Sequence, residues 1–340
     1  MAMTQTPILE LRKVAKSFAK GDDIVSRAAR KLGLLAPNRP LHAVQESSLQ
    51  IWSGEIVGLV GESGCGKSTL GRLAAGLIRP TCGAVLQDGK DVSTMTRSER
   101  RQAKLKTQMI FQNPYASLNP RAKIGQAVGE AARFHGLLDD GSGRTSYEDY
   151  VESQLARVGL DSGYKNRFPH QLSGGQRQRV AIARALAVKP HMLICDEVVS
   201  ALDVSVQAQI LNLFIELRDR LNLTYLFVSH DLHVIRYLSD RVVVMYLGQV
   251  VEEAPAEQIY RHPNHPYTRA LLAEVPRLGE GKSQFTAIKG EMPSPLDPPK
   301  GCPFHPRCIH ATARCAVEAP AIVEIAPGHR SACHLNQMSH

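Results

Sequence analysis

Residues Gly61-Glu62-Ser63-Gly64-Cys65-Gly66-Lys67-Ser68-Thr69 fit the pattern G-x-x-x-x-G-K-[ST]. Glycines at this spacing let backbone N–H groups close around phosphate oxygens, and a helix starting next adds the positive end of its dipole. Lys67 then reaches the terminal phosphates as a point charge, and the Ser68 hydroxyl is a ligand for Mg²⁺. A second group, Asp196-Glu197, follows the apolar run Met192-Leu193-Ile194-Cys195. A carboxylate closing a buried strand can hold Mg²⁺ through its water shell, and its neighbour Glu197 is placed to polarise an attacking water as general base. Alone, such a pair is an ordinary strand exit onto a turn; beside a phosphate loop it supplies the acids of a hydrolytic site. A third group, Leu172-Ser173-Gly174-Gly175-Gln176, opens a helical pattern through Val180, Ile182, Ala183 and Leu186 that stops at Lys189-Pro190. Two glycines at a helix start leave N–H groups open to an anion. The phosphate loop already serves one nucleotide, so this anion site calls for a different one.

These groups need a scaffold that brings them together. Ile56–Val60 runs into Gly61, Met109-Ile110-Phe111 ends at Gln112, Met192–Cys195 at Asp196, and Tyr225–Val228 at Ser229-His230. Short, continuously apolar runs suit strands buried on both faces of a parallel sheet. Ligands of open α/β sheets sit beyond the carboxyl ends of the strands, so four such ends point to one shared site. Residues 8–14 alternate like a strand with one wet face. From Pro114 to Pro169 the apolar runs lapse and helical stretches such as Val151–Leu160 take over, which predicts an inserted helical subdomain at about 114–185. The segment Gly21–Pro40 reads as a decorating loop with a short basic helix over Ile24–Leu35. A surface hairpin is the simpler account of it than a membrane-lying helix.

With the signature-like helix in view, the chain closely resembles the ATP-binding-cassette family, over about residues 8–250. The resemblance implies that Ser173, Gly174, Gly175 and Gln176 contact the γ-phosphate held by an opposite subunit. It implies that Phe111-Gln112-Asn113-Pro114 is a glutamine loop linking Mg²⁺ and water to membrane subunits. Ser200-Ala201-Leu202-Asp203 resembles the D-loop, His230 the switch histidine on the γ-phosphate, and Phe18 sits where an aromatic residue commonly stacks on adenine. One departure is Val198, where family members commonly carry proline.

At 340 residues with 43% apolar content and a net charge of +9, the chain has the size of one large α/β domain with an appendage. No run approaches the roughly 18 apolar residues of a spanning helix, and no export signal opens the chain, which predicts a cytoplasmic location. Cys65, Cys82 and Cys195 stand singly and read as free thiols. Cys302, Cys308, Cys315 and Cys333 crowd together with the spacing C-x5-C-x6-C-x17-C. In a reducing compartment that clustering suggests metal before disulfide. Zinc favours short C-x2–4-C hairpins, absent here, whereas the looser spacing suits an iron–sulfur cluster, written as [4Fe–4S]. His305, His310 and His334 read as surface residues.

The segment Tyr260–Thr268, Leu271-Leu272, Gly290–Pro295 and the cysteine tail resemble the C-terminal extension of dipeptide and oligopeptide importers, most similar to their second, DppF/OppF-like ATPase. The expected fold is therefore α/β, a P-loop NTPase-type cassette with a mostly parallel sheet core, an inserted helical subdomain and a small cysteine-containing extension. The division expected is 1–270 for the cassette and 271–340 for the extension. The resemblance implies ATP and Mg²⁺ as cofactors, and as partners a paralogous ATPase, two membrane permease subunits and an extracytoplasmic peptide-binding protein, at the cytoplasmic face of the inner membrane. Importers of nickel complexes, opines or glutathione-like peptides are the nearest alternatives. A soluble cassette ATPase of nucleic-acid metabolism is a further one, though such proteins usually carry two cassettes or long coiled-coil insertions. The tail argues against an exporter.

Overall fold

The computed structural model describes residues 6–19, 40–138, 146–273, 288 and 290–338. Strands β1 (Leu9–Phe18) and β2 (Leu41–Ile51) form a long antiparallel pair, and β3 (Ile56–Val60) opens the main sheet. Strand β4 (Cys82–Gln87) and the short β5 (Lys90–Asp91) return to the first pair, giving the order β2-β1-β4-β5. The main sheet adds β6 (Thr107–Ile110), β7 (Met192–Asp196), β8 (Thr224–Val228), β9 (Arg241–Tyr246) and β10 (Gln249–Pro255). It ends with β11 (Val323–Ala326) and β12 (His329–Ser331), in the order β11-β12-β10-β9-β3-β8-β7-β6. Neighbours from β9 through β6 are parallel, and those from β9 outward to β11 are antiparallel.

The apolar runs lack alternation because both faces of the parallel strands are covered. Ile56, Leu193, Cys195, Tyr225, Phe227, Val242 and Val244 enter one core, whereas Val57, Leu59, Met192, Ile194, Leu226, Val228 and Val243 enter the other. Successive side chains of a strand point to opposite faces, so a strand shared by two cores must be apolar throughout. The expected strand ends are found within a residue or two: β6 stops at Ile110, just short of Phe111, and β7 extends to Asp196.

Helices Ile124–Phe134, Tyr147–Arg157 and Gly174–Leu186 build the helical region. Val128, Ala132, Val151, Leu155 and Val180 join their faces to the first core. The helix expected at Val151–Leu160 begins earlier, because Ser146 caps it by accepting a hydrogen bond from Asp149 N (3.1 Å). The helix expected over Ile24–Leu35 lies outside the described residues.

The main sheet continues past residue 270 into the cysteine-bearing extension. Glu252 of β10 is fully buried and accepts hydrogen bonds from Asn264 N (2.6 Å) and His265 N (2.9 Å). His329 Nε2 of β12 lies 2.7 Å from the same carboxylate. A buried carboxylate with three partners fixes the extension against the sheet edge, because leaving it unpaired would be costly.

Candidate functional site

The phosphate loop leaves the carboxyl end of β3 and enters the helix Lys67–Ala74, with Gly66 as its N-cap. Gly66 has φ +106°, and a Cβ there would lie 2.2 Å from Ala43 O; at Gly61 one would lie 2.1 Å from Met245 O. Both positions therefore exclude side chains, which brings backbone amides close to whatever fills the loop. Lys67 is buried, and its Nζ donates to Gly61 O (2.8 Å) and Glu62 O (2.9 Å). The loop closes on its own lysine in a shape that phosphate oxygens could take over. Ser68 Oγ donates to Asp196 Oδ1 at 2.8 Å, so the two expected Mg²⁺-holding oxygens are adjacent. Burial raises the Asp196 pKa against the pull of Ser68 and of the Arg72 charge. This pair of hard oxygen donors beside a phosphate loop fits Mg²⁺.

Glu197 receives its two expected neighbours on separate oxygens. Gln112 Nε2, beyond β6, donates to Oε2 (2.6 Å), and His230 Nδ1, beyond β8, lies 3.3 Å from Oε1. Glu197 has φ +50°, an uncommon conformation for a non-glycine residue, and its N–H is held by Val228 O at 3.0 Å. Three adjacent parallel strands thus bring Gln112, Glu197 and His230 together, two polar side chains meeting one carboxylate, at the edge where such sheets bind ligands. Val198, next along, is buried in the core at 2% exposure.

The segment Ser173–Gln176 forms a capping box: Ser173 Oγ accepts from Gln176 N (3.3 Å), and Gln176 Oε1 accepts from Ser173 N (3.0 Å). Ser173 and Gly174 are exposed, as is Asp203, the N-cap of the helix Val204–Leu221. A Cβ on Gly175 would lie 2.5 Å from Val206 Cγ1, so this helix start packs on the segment after Asp203. Phe18 stands at the end of β1, 40% exposed, with Lys16 Nζ 5.2 Å from its ring centroid.

Sequence reasoning missed the contacts that grip the loop from behind. Glu62 N donates to Tyr267 Oη at 2.9 Å, and Arg307 Nη1 donates to both carboxylate oxygens of Glu62 at 2.9 and 3.0 Å. The partners lie 245 residues apart, and no local spacing announces such a pairing.

Cys302, Cys308, Cys315 and Cys333 line one cavity of about 80 Å³. All four are free thiols, as are Cys65, Cys82 and Cys195. Burial pushes the Cys302 thiol up to about 11, with the other three cysteines adding to the rise. His305 and His310 also line the cavity, as does His334, which is buried rather than a surface residue, with Nε2 2.9 Å from Glu318 O. Among the described residues no group of three or more His, Cys, Asp or Glu is placed to hold a metal ion. The thiols are walls of a shared cavity and not the corners of a single-ion site.

Residues 44–200 match the ABC transporter family, and residues 251–315 match the C-terminal region of oligopeptide/dipeptide transporters. The chain is 46% identical to the oligopeptide transport ATP-binding protein AppF of Bacillus subtilis, over 98% of its own length and 99% of that protein's. It is 43% identical to a putative peptide import ATP-binding protein of Brucella ovis, over 97% and 98% of the two lengths. Among solved structures it resembles cbiO1 of Clostridium perfringens, part of the cbiONQ transporter complex, with a TM-score of 0.60 and 25% identity over 76% of this chain and 92% of that one. It also resembles a dimeric ATP-binding cassette in a post-hydrolysis state with ADP and Pi, with a TM-score of 0.59 and 27% identity over 73% and 98%.

Proposed function

Because this chain belongs to the ABC transporter ATPases of the oligopeptide/dipeptide type, we propose that it hydrolyses ATP to drive import of dipeptides and oligopeptides through a membrane permease. The observation that carries the site is the meeting of Gln112 and His230 on Glu197, beside the Ser68–Asp196 pair. In this reading Gly61–Thr69 and Phe18 bind ATP. Ser68, Asp196 and Gln112 hold Mg²⁺, which supplies positive charge to the phosphates when bound. Glu197 accepts the proton of the attacking water, His230 hydrogen-bonds the γ-phosphate, and Lys67 balances its charge.

Ser173, Gly174 and Asp203 are exposed, which suits a role of Ser173–Gln176 and Asp203 against the nucleotide of a second ATPase, a paralogue of this chain. A relative solved as a nucleotide-bound dimer supports that reading. Closure of two subunits over ATP supplies the differential binding that turns hydrolysis into motion of the permease. Two permease subunits and an extracytoplasmic peptide-binding protein complete the assembly. No helix among the described residues is long and apolar enough to cross a membrane, so attachment to the cytoplasmic face of the inner membrane runs through the permease. The unit of residues 1–270 would do the hydrolysis, and the unit of 271–340 would brace it.

Four thiols lining one cavity at loose spacing are what supports reading them as holders of a [4Fe–4S] cluster, which takes thiolates from separate turns. Iron near four atoms per chain after anaerobic purification is the expected result; stoichiometric zinc would sink it. Uptake of labelled di- and tripeptides should vanish on deletion of this chain, return with the wild type, and stay absent with Lys67→Ala. Unchanged peptide uptake after deletion would move the cargo to another small solute.

A further inference from the structure

The cysteine extension reaches the phosphate loop directly. Arg307 lies on the single turn His305–Arg307, between Cys302 and Cys308. Its side chain is 6% exposed, and Nη1 donates to both oxygens of Glu62, the second residue of the loop, at 2.9 and 3.0 Å. The same nitrogen lies 3.4 Å from Tyr246 Oη. Glu62 N is tied in turn to Tyr267 Oη (2.9 Å), and Tyr246, Tyr267 and Phe304 pack ring against ring with centroids 4.6 to 5.4 Å apart. Met292 of the extension faces the loop, its terminal methyl 3.5 Å from where a Cβ on Gly64 would lie.

This arrangement solves an electrostatic difficulty. Glu62 puts a carboxylate, 24% exposed, into a loop built to close around a polyanion. Lys67 meets the backbone carbonyl of Glu62, not its carboxylate. Arg307 supplies the counter-charge and fixes the carboxylate through two charge-assisted hydrogen bonds.

We propose that Arg307 is a positioning residue of the ATP site: the extension neutralises and anchors Glu62 so that the loop's amides face the phosphates. The proposal rests on residues 61–69 being the ATP site, as read above. It makes the cysteine-bearing extension a working part of nucleotide binding, and the fold around the four thiols becomes the support of that arginine.

The test is the affinity of the purified full chain for a fluorescent ATP analogue, with Lys67→Ala, Arg307→Ala, Glu62→Gln and the double variant Arg307→Ala/Glu62→Gln measured side by side. Arg307→Ala should weaken binding by about tenfold, more at low salt than at high, because an uncompensated carboxylate then faces the phosphates. Glu62→Gln removes the charge that Arg307 offsets, so in the double variant it should restore most of what Arg307→Ala loses. A purely structural role for Arg307 would show no such rescue. Arg307→Lys, whose ammonium keeps the charge and can stand in for the one nitrogen that meets both Glu62 oxygens, serves if the alanine variant folds poorly and should bind within about threefold of wild type. If Lys67→Ala abolishes binding while Arg307→Ala and Arg307→Lys leave it unchanged, or if Glu62→Gln rescues nothing, the inference is wrong. If Lys67→Ala binds normally, the underlying assignment of the ATP site fails instead.

Discussion

Glu197 shows how much one side chain owes to its backbone. Its left-handed φ of +50° and the hydrogen bond from its N–H to Val228 O turn the carboxylate toward Gln112 and His230. Replacing it with glutamine keeps the shape and removes the group proposed as base. Glu197→Gln should therefore bind ATP normally yet lower kcat by about 10²- to 10⁴-fold, as read by nucleotide binding and phosphate release on the assembled transporter. Near-normal turnover would remove Glu197 from the role of base. Val198 sits in the place where a proline is common and packs into the core at 2% exposure. Val198→Pro should alter kcat by less than about threefold, because the change touches backbone freedom and no reacting group; a silent parent revived by it would contradict that. The residues of the site were legible because their chemistry is local. Lysine after a glycine loop and acids after an apolar run can be read in order, whereas the guanidinium of Arg307 on Glu62 depends on a fold that closes over 245 residues.

Among the elements, the parallel strands were readable because a strand shared by two cores must be apolar at every position, as Val57 and Ile56 are on opposite faces of β3. The antiparallel edge was not. Strand β12 is three residues long, and only its pairing with β10 on one side and β11 on the other makes it a strand at all. The helix Gly174–Leu186 was foreseen from its period and its stop at Lys189-Pro190, and its start proves to be set by two devices. Ser173 caps it, a bond whose loss in Ser173→Ala costs about 1 kcal/mol. Gly175 lets it pack on Val206, where a Cβ would come within 2.5 Å. Gly175→Val forces the stiff Val206 side chain and the helix start apart. It should cut ATPase activity of the assembled transporter by about tenfold or more, with ATP binding to the isolated chain kept within about threefold. Equal loss of binding in the isolated chain would show that the helix start serves the chain's own nucleotide and not a partner's.

For the molecule as a whole, the extension and the cassette share one sheet and one buried polar junction around Glu252, Asn264, His265 and His329. His265 is fully enclosed, and burial pushes its imidazole down to about 4 from the usual 6.5. The folded chain thus keeps it neutral, whereas the unfolded chain takes up a proton as pH falls through 6.5. Its contribution is constant above that pH and is lost progressively between pH 6.5 and 4, amounting to about 3 kcal/mol at the end of the window. Urea midpoints of the full chain should fall over this range, and His265→Gln should flatten the slope; an unchanged slope would show that other groups set the acid limit. The four-cysteine spacing was visible in the sequence, but the cavity's closeness to the aromatic cluster of Tyr246, Tyr267 and Phe304 came only from the packing of distant segments.

The most direct measurement rebuilds this chain in vesicles with the paralogous ATPase and permease proposed for it, the ATPases facing outward. Labelled peptide and its binding protein are sealed inside. Adding ATP outside should release peptide from the lumen at a rate that follows phosphate production, and Glu197→Gln should stop both while leaving nucleotide bound. Peptide release that proceeds unchanged with Glu197→Gln, or ATP hydrolysis that moves no peptide, would contradict the proposal that hydrolysis at this site powers peptide transport.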